Sequence, residues 1–426
     1  MISLLAFVAL PTWLAIAWSK FLAKEAARPN RSGSPRSILI IRLDQLGDLV
    51  LTTPLFRELK RVYPGARITA VIPPHFKAIL TTNRHVDEIL TLDEVRAKWL
   101  PSRARCLASA LWFYWIKMRH RQFDLAISPR WDVDESLATL LCVLANASRR
   151  VGHSSRASEA KRRINRGFDA AFDVVLSPGP LQHEVERNLA IVKALGARAP
   201  SRRLEIRLTD DDRKFAAELL KHHDSGRLLV ALGIGGRASG RKWPLERYAQ
   251  VTARLNERCR VQPVIVCSSE EDPEASALSV QLPVPPYILS GLPLRAVCAV
   301  LERCELFLGN DSGPAHLAAA MNCPTLVVSR HPANGDPNHA NSPARFAPYC
   351  ARHRVLQPAT GSGECTTSCQ SAEPHCILQI SVEQVVEAAL EFLPRPSPAL
   401  VLRQPSIASQ TQPQPDCSRA VVAGLA

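Results

Sequence analysis

Aromatic residues make up only 6% of this 426-residue chain, and it has three methionines. Acids are also in short supply: 39 Asp and Glu stand against 53 Lys and Arg, leaving a formal net charge of +14. An excess of that size asks for an anionic partner, either nucleic acid, acidic lipid or a phosphorylated substrate. The scarcity of aromatics and the lack of a nucleic-acid motif argue against the first. No strand-to-helix turn carries a clean G-x-G-x-x-G with an acid downstream, which weakens an NAD-dependent enzyme or a nucleotide-sugar epimerase. Paired Cys-x-x-Cys sets are missing as well. The 12 cysteines are irregularly spaced, which points to reduced thiols in a cytosolic compartment rather than a disulfide scaffold. Cys365, Cys369 and Cys376 lie near His375, but the spacing is not a usual paired set and no metal is assigned there.

The apolar share of 46% with 22% charged residues is that of a globular protein. Two domains is the natural division for this length. Met1 to Trp18 contains no charged residue. With Lys20, Lys24, Arg28, Arg31 and Arg36 on its C-terminal side, it reads as a membrane anchor or in-plane helix that keeps the body cytoplasmic. Asn30 to Pro35 reads as a linker. Residues 395–426 are rich in Pro, Gln and Ser and are expected to be disordered.

Between these ends, apolar runs of strand length alternate with helical spacing. The expected organisation is an α/β fold with one domain over residues 37–203 and a second over 204–394. Three strand-to-helix turns stand out. The first carries Asp48 after the run Ser37 to Ile41. The helix that follows holds Pro54, either as a kink or as its first residue after a Thr53 cap. The second is the glycine-rich turn Gly233 to Gly240, with Gly235 and Gly236, followed by Arg241, Lys242 and a Trp-Pro pair. The third is Asn310-Asp311-Ser312-Gly313 ahead of a short helix. A turn of this kind sets unpaired N–H groups and a positive dipole end where phosphate binds. Helix capping by Asp48, Asp311 or Ser312 is the plainer alternative. From Ser102 to Gln122 a helix carries Trp112, Phe113, Tyr114 and Trp115 beside Lys117, Arg119, His120 and Arg121, a pattern able to dock on a membrane or simply cover a sheet. Ser148 to Gly167 is the most basic window, with Arg149, Arg150 and Arg156 among its cations.

Asn310-Asp-Ser-Gly-Pro-Ala-His-Leu317 resembles the D-[ST]-G-x-x-H block of glycosyltransferase family 9, which contains the ADP-heptose:lipopolysaccharide heptosyltransferases. Ile38 to Pro54 resembles the family's N-terminal signature, and Gly235 to Pro244 its donor-phosphate loop. The three occur in the family's order, and the likeness covers roughly Ser37 to Pro394. It implies two Rossmann-like domains facing a cleft (the GT-B arrangement) and an inverting transfer from a nucleotide-diphosphate heptose, without a cofactor. It also implies Asp48 as catalytic base. Donor contacts would come from Gly235, Gly236, Arg241 or Lys242, Asp311, Ser312, Gly313 and His316, and from Asp272 or Glu271 at the ribose. An anionic lipopolysaccharide-core acceptor would suit Arg149, Arg150 and Arg156, at the cytoplasmic face of the inner membrane. A non-catalytic, membrane-bound protein that keeps this fold is the competing class.

Overall fold

The computed structural model describes residues 33–93, 102–363 and 365–394. The anchor expected over residues 1–18 and the tail beyond residue 394 lie outside them. Among the described residues, no helix is long and apolar enough to cross a membrane.

Two six-stranded sheets form the frame, and every strand pairing in them is parallel. The first holds β1 (Ser37–Ile41), β2 (Arg67–Ile72), β3 (Glu88–Thr91), β4 (Phe123–Ser128), β5 (Ala147–His153) and β6 (Val174–Leu176) in the order β3-β2-β1-β4-β5-β6. The second holds β7 (Leu228–Gly233), β8 (Val261–Cys267), β9 (Tyr287–Ser290), β10 (Leu306–Asn310), β11 (Thr325–Val328) and β12 (His353–Leu356) in the order β12-β11-β10-β7-β8-β9. Renumbered within its own half, the second order is the mirror listing of the first, so both are doubly wound Rossmann sheets. The chain reverses direction between β1 and β4 in one sheet and between β7 and β10 in the other. In such sheets the crevice beyond the carboxyl ends at the reversal is where ligands bind. All three turns singled out in the sequence follow reversal strands: β1, β7 and β10.

The central strands form because they are apolar on both faces, as a sheet covered by helices on both sides requires. Ile38, Leu39, Ile40 and Ile41 are at most 1% exposed. Helix α1 (Leu46–Val62) follows β1 and keeps Pro54 in its interior. The missing Pro54 N–H would leave the Val50 carbonyl unpaired. The Thr53 hydroxyl donates to that carbonyl at 2.7 Å, so the helix continues and starts at Leu46, well before the proline. The remaining helices are α2 (Lys77–Leu80), α3 (Ser102–Phe113), α4 (Ala138–Leu144), α5 (Glu159–Ile164), α6 (Glu184–Ala194), α7 (Asp210–Leu219), α8 (Leu245–Cys259), α9 (Asp272–Ser279), α10 (Leu294–Leu301), α11 (Gly313–Ala320), α12 (Pro343–Phe346) and α13 (Val382–Leu390). The basic window opens as β5 and continues into α5.

The lobes meet where α1 and α11 cross near their N-termini. A Cβ at Gly47 would stand 2.5 Å from the His316 ring, and one at Gly313 would stand 2.9 Å from Leu46. Each helix therefore offers a glycine to a side chain of the other. One buried cluster runs through this crossing, joining Val50, Leu55 and Val185 to Val297, Ala315 and Leu317. A polar latch lies beside it. Fully buried Arg345 donates to Asp132 at 2.8 Å and to Glu184 at 2.8 Å, and Glu184 also accepts from Arg187 at 2.7 Å.

Filling the crossing should force the lobes apart. Gly47→Ala is expected to cost about 1–3 kcal/mol, the usual range for overpacking a tight contact, read as a lowered Tm. Gly65→Ala, with nothing within 4 Å of its Cβ position, should leave Tm unchanged. Equal melting of the two variants would refute the reading of the crossing.

Candidate active site

A cavity of about 490 Å³ opens between the lobes at the carboxyl ends of the reversal strands. Asp44, Asp48 and Arg130 line it from the first lobe; Arg237, Arg241, Asp311, Ser312, Gly313 and His316 line it from the second. The turn after β1 thus faces the turns after β7 and β10.

On the first wall, two carboxylates and two guanidiniums alternate. Arg42, 1% exposed, donates to Asp48 Oδ1 at 2.9 Å and pairs with Asp44 Oδ2 at 3.2 Å. Arg130 Nη1 lies 3.2 Å from Asp44 Oδ1 and 3.5 Å from Asp48 Oδ1. Asp48 Oδ2 accepts from the Gln45 N–H at 3.1 Å, so the residue caps α1 as well as lining the cavity. Each carboxylate oxygen has two lone pairs, and these contacts leave capacity to accept a proton. Burial lifts the Asp48 carboxyl above its ordinary pKa and Asp44 adds to the rise, while Arg42 and Arg130 oppose it; burial wins. The result is a stronger base than a free aspartate. Arg130 is fixed from behind by Lys161, 3% exposed, whose ammonium donates to the carbonyls of Arg130, Trp131 and His153 at 3.0, 3.0 and 3.1 Å.

On the second wall, Asn310 holds the frame. Fully buried, it accepts from the Trp243 N–H at 2.9 Å and the Tyr248 hydroxyl at 3.0 Å, and donates to the carbonyls of Ile234 and Gly235 at 2.8 and 3.2 Å. This ties the end of β10 to the loop after β7. Neither Asp311 nor Ser312 caps α11. Ser312 occupies the cap position without a side-chain hydrogen bond to the helix, and Asp311 instead accepts from Arg241 at 3.4 Å. The start of α11 is therefore turned to the cavity with no side chain satisfying it, the condition for anion binding. Burial raises the Asp311 carboxyl, with Arg241 opposing. Burial, with help from His183, pushes the His316 imidazole down to about 4, so the ring is neutral at pH 7; its Nδ1 is buried with no hydrogen-bond partner among the described residues.

The other expected residues fall differently. Lys242 turns from the cavity to Glu274 at 2.6 Å and Glu271 at 3.3 Å, which leaves Arg241 as the cation of that pair facing inward. Gly235 and Gly236 form the back of the loop, where the Gly236 N–H donates to Glu271 at 3.1 Å and a Cβ on Gly235 would meet that carboxylate at 2.5 Å. Glu271, not Asp272, is thus the acid at the glycine-rich loop; Asp272 is exposed and accepts from the Ser290 hydroxyl. The family resemblance offers Arg149 and Arg150 to the acceptor. Both lie on β5, and Arg149 lines a depression with Arg36, Tyr63 and Asp124 at the amino edge of the sheet, opposite the cleft. Arg156 is exposed beyond the end of β5 beside Arg162, outside the cavity. The four residues given no metal, Cys365, Cys369, His375 and Cys376, hold their donor atoms within 4.8 Å of one another.

Sequence reasoning passed over Arg42, Asp44, Arg130, Arg237 and Asn310. For Arg130 a signal existed: it follows β4, the strand across the reversal from β1, whose loop must line the same crevice.

Comparison with known proteins agrees with this geometry. The model of glycosyltransferase family 9 (heptosyltransferase) matches residues 115–360. Lipopolysaccharide heptosyltransferase 3 of Escherichia coli is 24% identical over 289 residues, 66% of this chain and 80% of that protein. The lipopolysaccharide core heptosyltransferase OpsX of Haemophilus influenzae is 21% identical, covering 75% of this chain and 84% of its own. A family 9 glycosyl transferase from Veillonella parvula superposes with a TM-score of 0.66 at 21% identity, over 84% of this chain and 97% of that one. The E. coli heptosyltransferase WaaC with ADP gives 0.60 at 17% identity, over 83% and 99%. Matched over more than half its length and folded as two facing Rossmann lobes, the chain belongs to glycosyltransferase family 9.

Proposed function

We propose that this glycosyltransferase moves a heptose from an ADP-type nucleotide-diphosphate donor to a hydroxyl of a lipopolysaccharide-core sugar, with inversion at the anomeric carbon. The observation that carries the reading is that Asp48 and the uncapped start of α11, from opposite lobes, line one cavity with Arg241 between the donor loops. Asp48 takes the proton from the acceptor hydroxyl as that oxygen bonds to the anomeric carbon. The bond from that carbon to the diphosphate oxygen breaks, and the nucleoside diphosphate leaves with the electron pair. Arg241, Arg237 and the N–H groups of Ser312 and Gly313 receive the developing charge. The choice of heptose, ADP and core acceptor follows the names of the relatives and rests on them.

These cations can do what a divalent ion does elsewhere at a departing diphosphate, so the reaction is assigned no dissociable metal. The acceptor is anionic and lies on the inner membrane, and the exposed end of α3 with the helical turn Tyr114–Met118 that continues it fits that surface. Trp112, Trp115 and Ile116 are 64%, 56% and 53% exposed, with Lys117, Arg119 and His120 also exposed beside them. Arg119 sits 4.4 Å over the Trp115 ring. Indole rings framed by cations suit an anionic headgroup layer.

Three outcomes are expected. Asp48→Asn should lower kcat by about 10²–10⁴-fold, the usual worth of a general base, with ADP-heptose affinity by calorimetry near normal. Because the Asp48 carboxyl lies above the ordinary aspartate pKa, the wild-type rate should fall as pH drops through that raised value, and the variant should lack this limb; unchanged turnover rejects the assignment. Turnover should persist in EDTA, and its loss there would reject the metal-independent mechanism. In flotation assays a form lacking residues 1–36, and with them the expected anchor, should bind phosphatidylglycerol-containing vesicles but not phosphatidylcholine ones. The double change Trp112→Ser and Trp115→Ser should abolish this binding, whereas equal binding by both proteins would remove α3 as the docking face.

A further inference from the structure

The described residues contain one further group of side chains whose chemistry the cleft does not use. Cys365, Cys369, His375 and Cys376 converge so that one sulfur or ring nitrogen from each lies within 4.8 Å of the others. His375 Nδ1 stands 3.4 Å from the Cys376 sulfur and 3.6 Å from the Cys365 sulfur. A four-coordinate zinc with Zn–S bonds of about 2.3 Å spaces its ligands about 3.7 Å apart, so small shifts would close the group on one ion. Cys369 and Cys376 are fully buried, Cys365 is half-buried and His375 is exposed, so the site sits at the surface with two of its sulfurs facing inward. The Ser362 N–H donates to the Cys376 sulfur at 3.3 Å, the kind of contact that stabilises a thiolate ligand.

The segment between these ligands rests on the donor loop. The Gly240 N–H donates to the Ala372 carbonyl at 2.7 Å, and a Cβ on Gly240 would lie 2.1 Å from the Ser371 carbonyl oxygen. The Ser239 hydroxyl donates to Glu373 at 3.0 Å, and Arg330 donates to the Ser371 carbonyl at 3.1 Å. This segment has little apolar content of its own to hold it.

We propose that Cys365, Cys369, His375 and Cys376 bind one thiophilic divalent ion, with zinc the tetrahedral fit, and that this ion fixes the 366–374 segment as the backing of the Ser239–Arg241 turn. Binding displaces the three thiol protons and involves no redox change. All four positions are filled by protein, which makes the site structural and not catalytic. Ions held by three thiolates resist brief exposure to EDTA, so the site does not conflict with metal-independent turnover.

The test is metal analysis by plasma mass spectrometry of protein purified without chelator. One zinc or iron per chain is expected. Cys369→Ser and Cys376→Ser should lose it, and Cys267→Ser, outside the group, should keep it. If the buried-cysteine variants fail to fold, His375→Ala at the exposed ligand should still weaken retention in competition with a chromogenic chelator. Cobalt added to metal-stripped protein should give thiolate-to-cobalt absorption, and stripping should speed hydrogen exchange in residues 366–374 and 235–242. None of these readouts depends on what the cleft transfers. Substoichiometric metal with three freely titrating thiols, or a disulfide between two of the three cysteines in a non-reduced peptide map, would overturn the site.

Discussion

Everything in the cleft depends on two helices meeting end to end. The N-termini of α1 and α11 approach because Gly47 and Gly313 leave room for His316 and Leu46. Bringing two positive dipole ends together is unfavourable by itself, by some tenths of a kcal/mol to about 1 kcal/mol at each end. The sequence offsets this with carboxylates in or next to each first turn: Asp48 in α1 and Asp311 just before α11. The arrangement also focuses positive potential on one small volume. A diphosphate entering there meets one helix start that no side chain caps, plus the guanidiniums of Arg237 and Arg241. The same crossing that joins the lobes thereby builds the anion site.

The state of the base follows from a contest among its neighbours. Burial raises Asp48, Asp44 reinforces it, and two arginines pull the other way. A fully satisfied aspartate between two guanidiniums would be a poor base. One held by hydrogen bonds from Arg42 and the Gln45 N–H, with Arg130 shared at 3.5 Å, stays basic enough to accept a proton. Lys161 matters because it fixes how much of Arg130 the carboxylate receives. Its three carbonyl contacts hold the loop in place, although burial pulls its own pKa down to about 8.

Much of this frame was legible in the chain. β1, β4 and β10 are apolar runs that stop abruptly at a polar turn, and a buried parallel strand has no other common appearance. Asp48, Asp311, Ser312 and Gly313 stood in the right turns for that reason. β5 was hidden because Arg149 and Arg150 interrupt it near the sheet's rim, where charge is tolerated. β9 and β12 were hidden because they are only four residues long and lie at sheet edges. The start of α1 was masked by Pro54, whose cost is met by a hydroxyl one residue earlier. Choosing between Arg241 and Lys242 was beyond any local pattern. Lys242 is drawn off by Glu271 and Glu274, about thirty residues further along the chain, and only the fold brings them together.

One short segment ties the chemistry to the docking of the lobes. After β4, Arg130 and Asp132 line the cavity, and Trp131 and Asp132 also join the latch: Trp131 lies under the guanidiniums of Arg187 and Arg345 at 3.5 and 4.5 Å, and Asp132 accepts from Arg345. Buried ion pairs contribute little net stability but fix register, and removing one partner typically costs about 3–5 kcal/mol. The latch is also robust to acid. Glu184, which burial alone would raise, is held down at about 2 by Arg345, Arg187 and Arg42. Its folded pKa lies below its unfolded value near 4.5, so its contribution is complete above that pH and fades only as pH falls toward 2. Asp48 moves in the opposite direction and takes up its proton while Glu184 is still ionised. Loss of rate on acidification therefore sets in while the Glu184 ion pairs are still made.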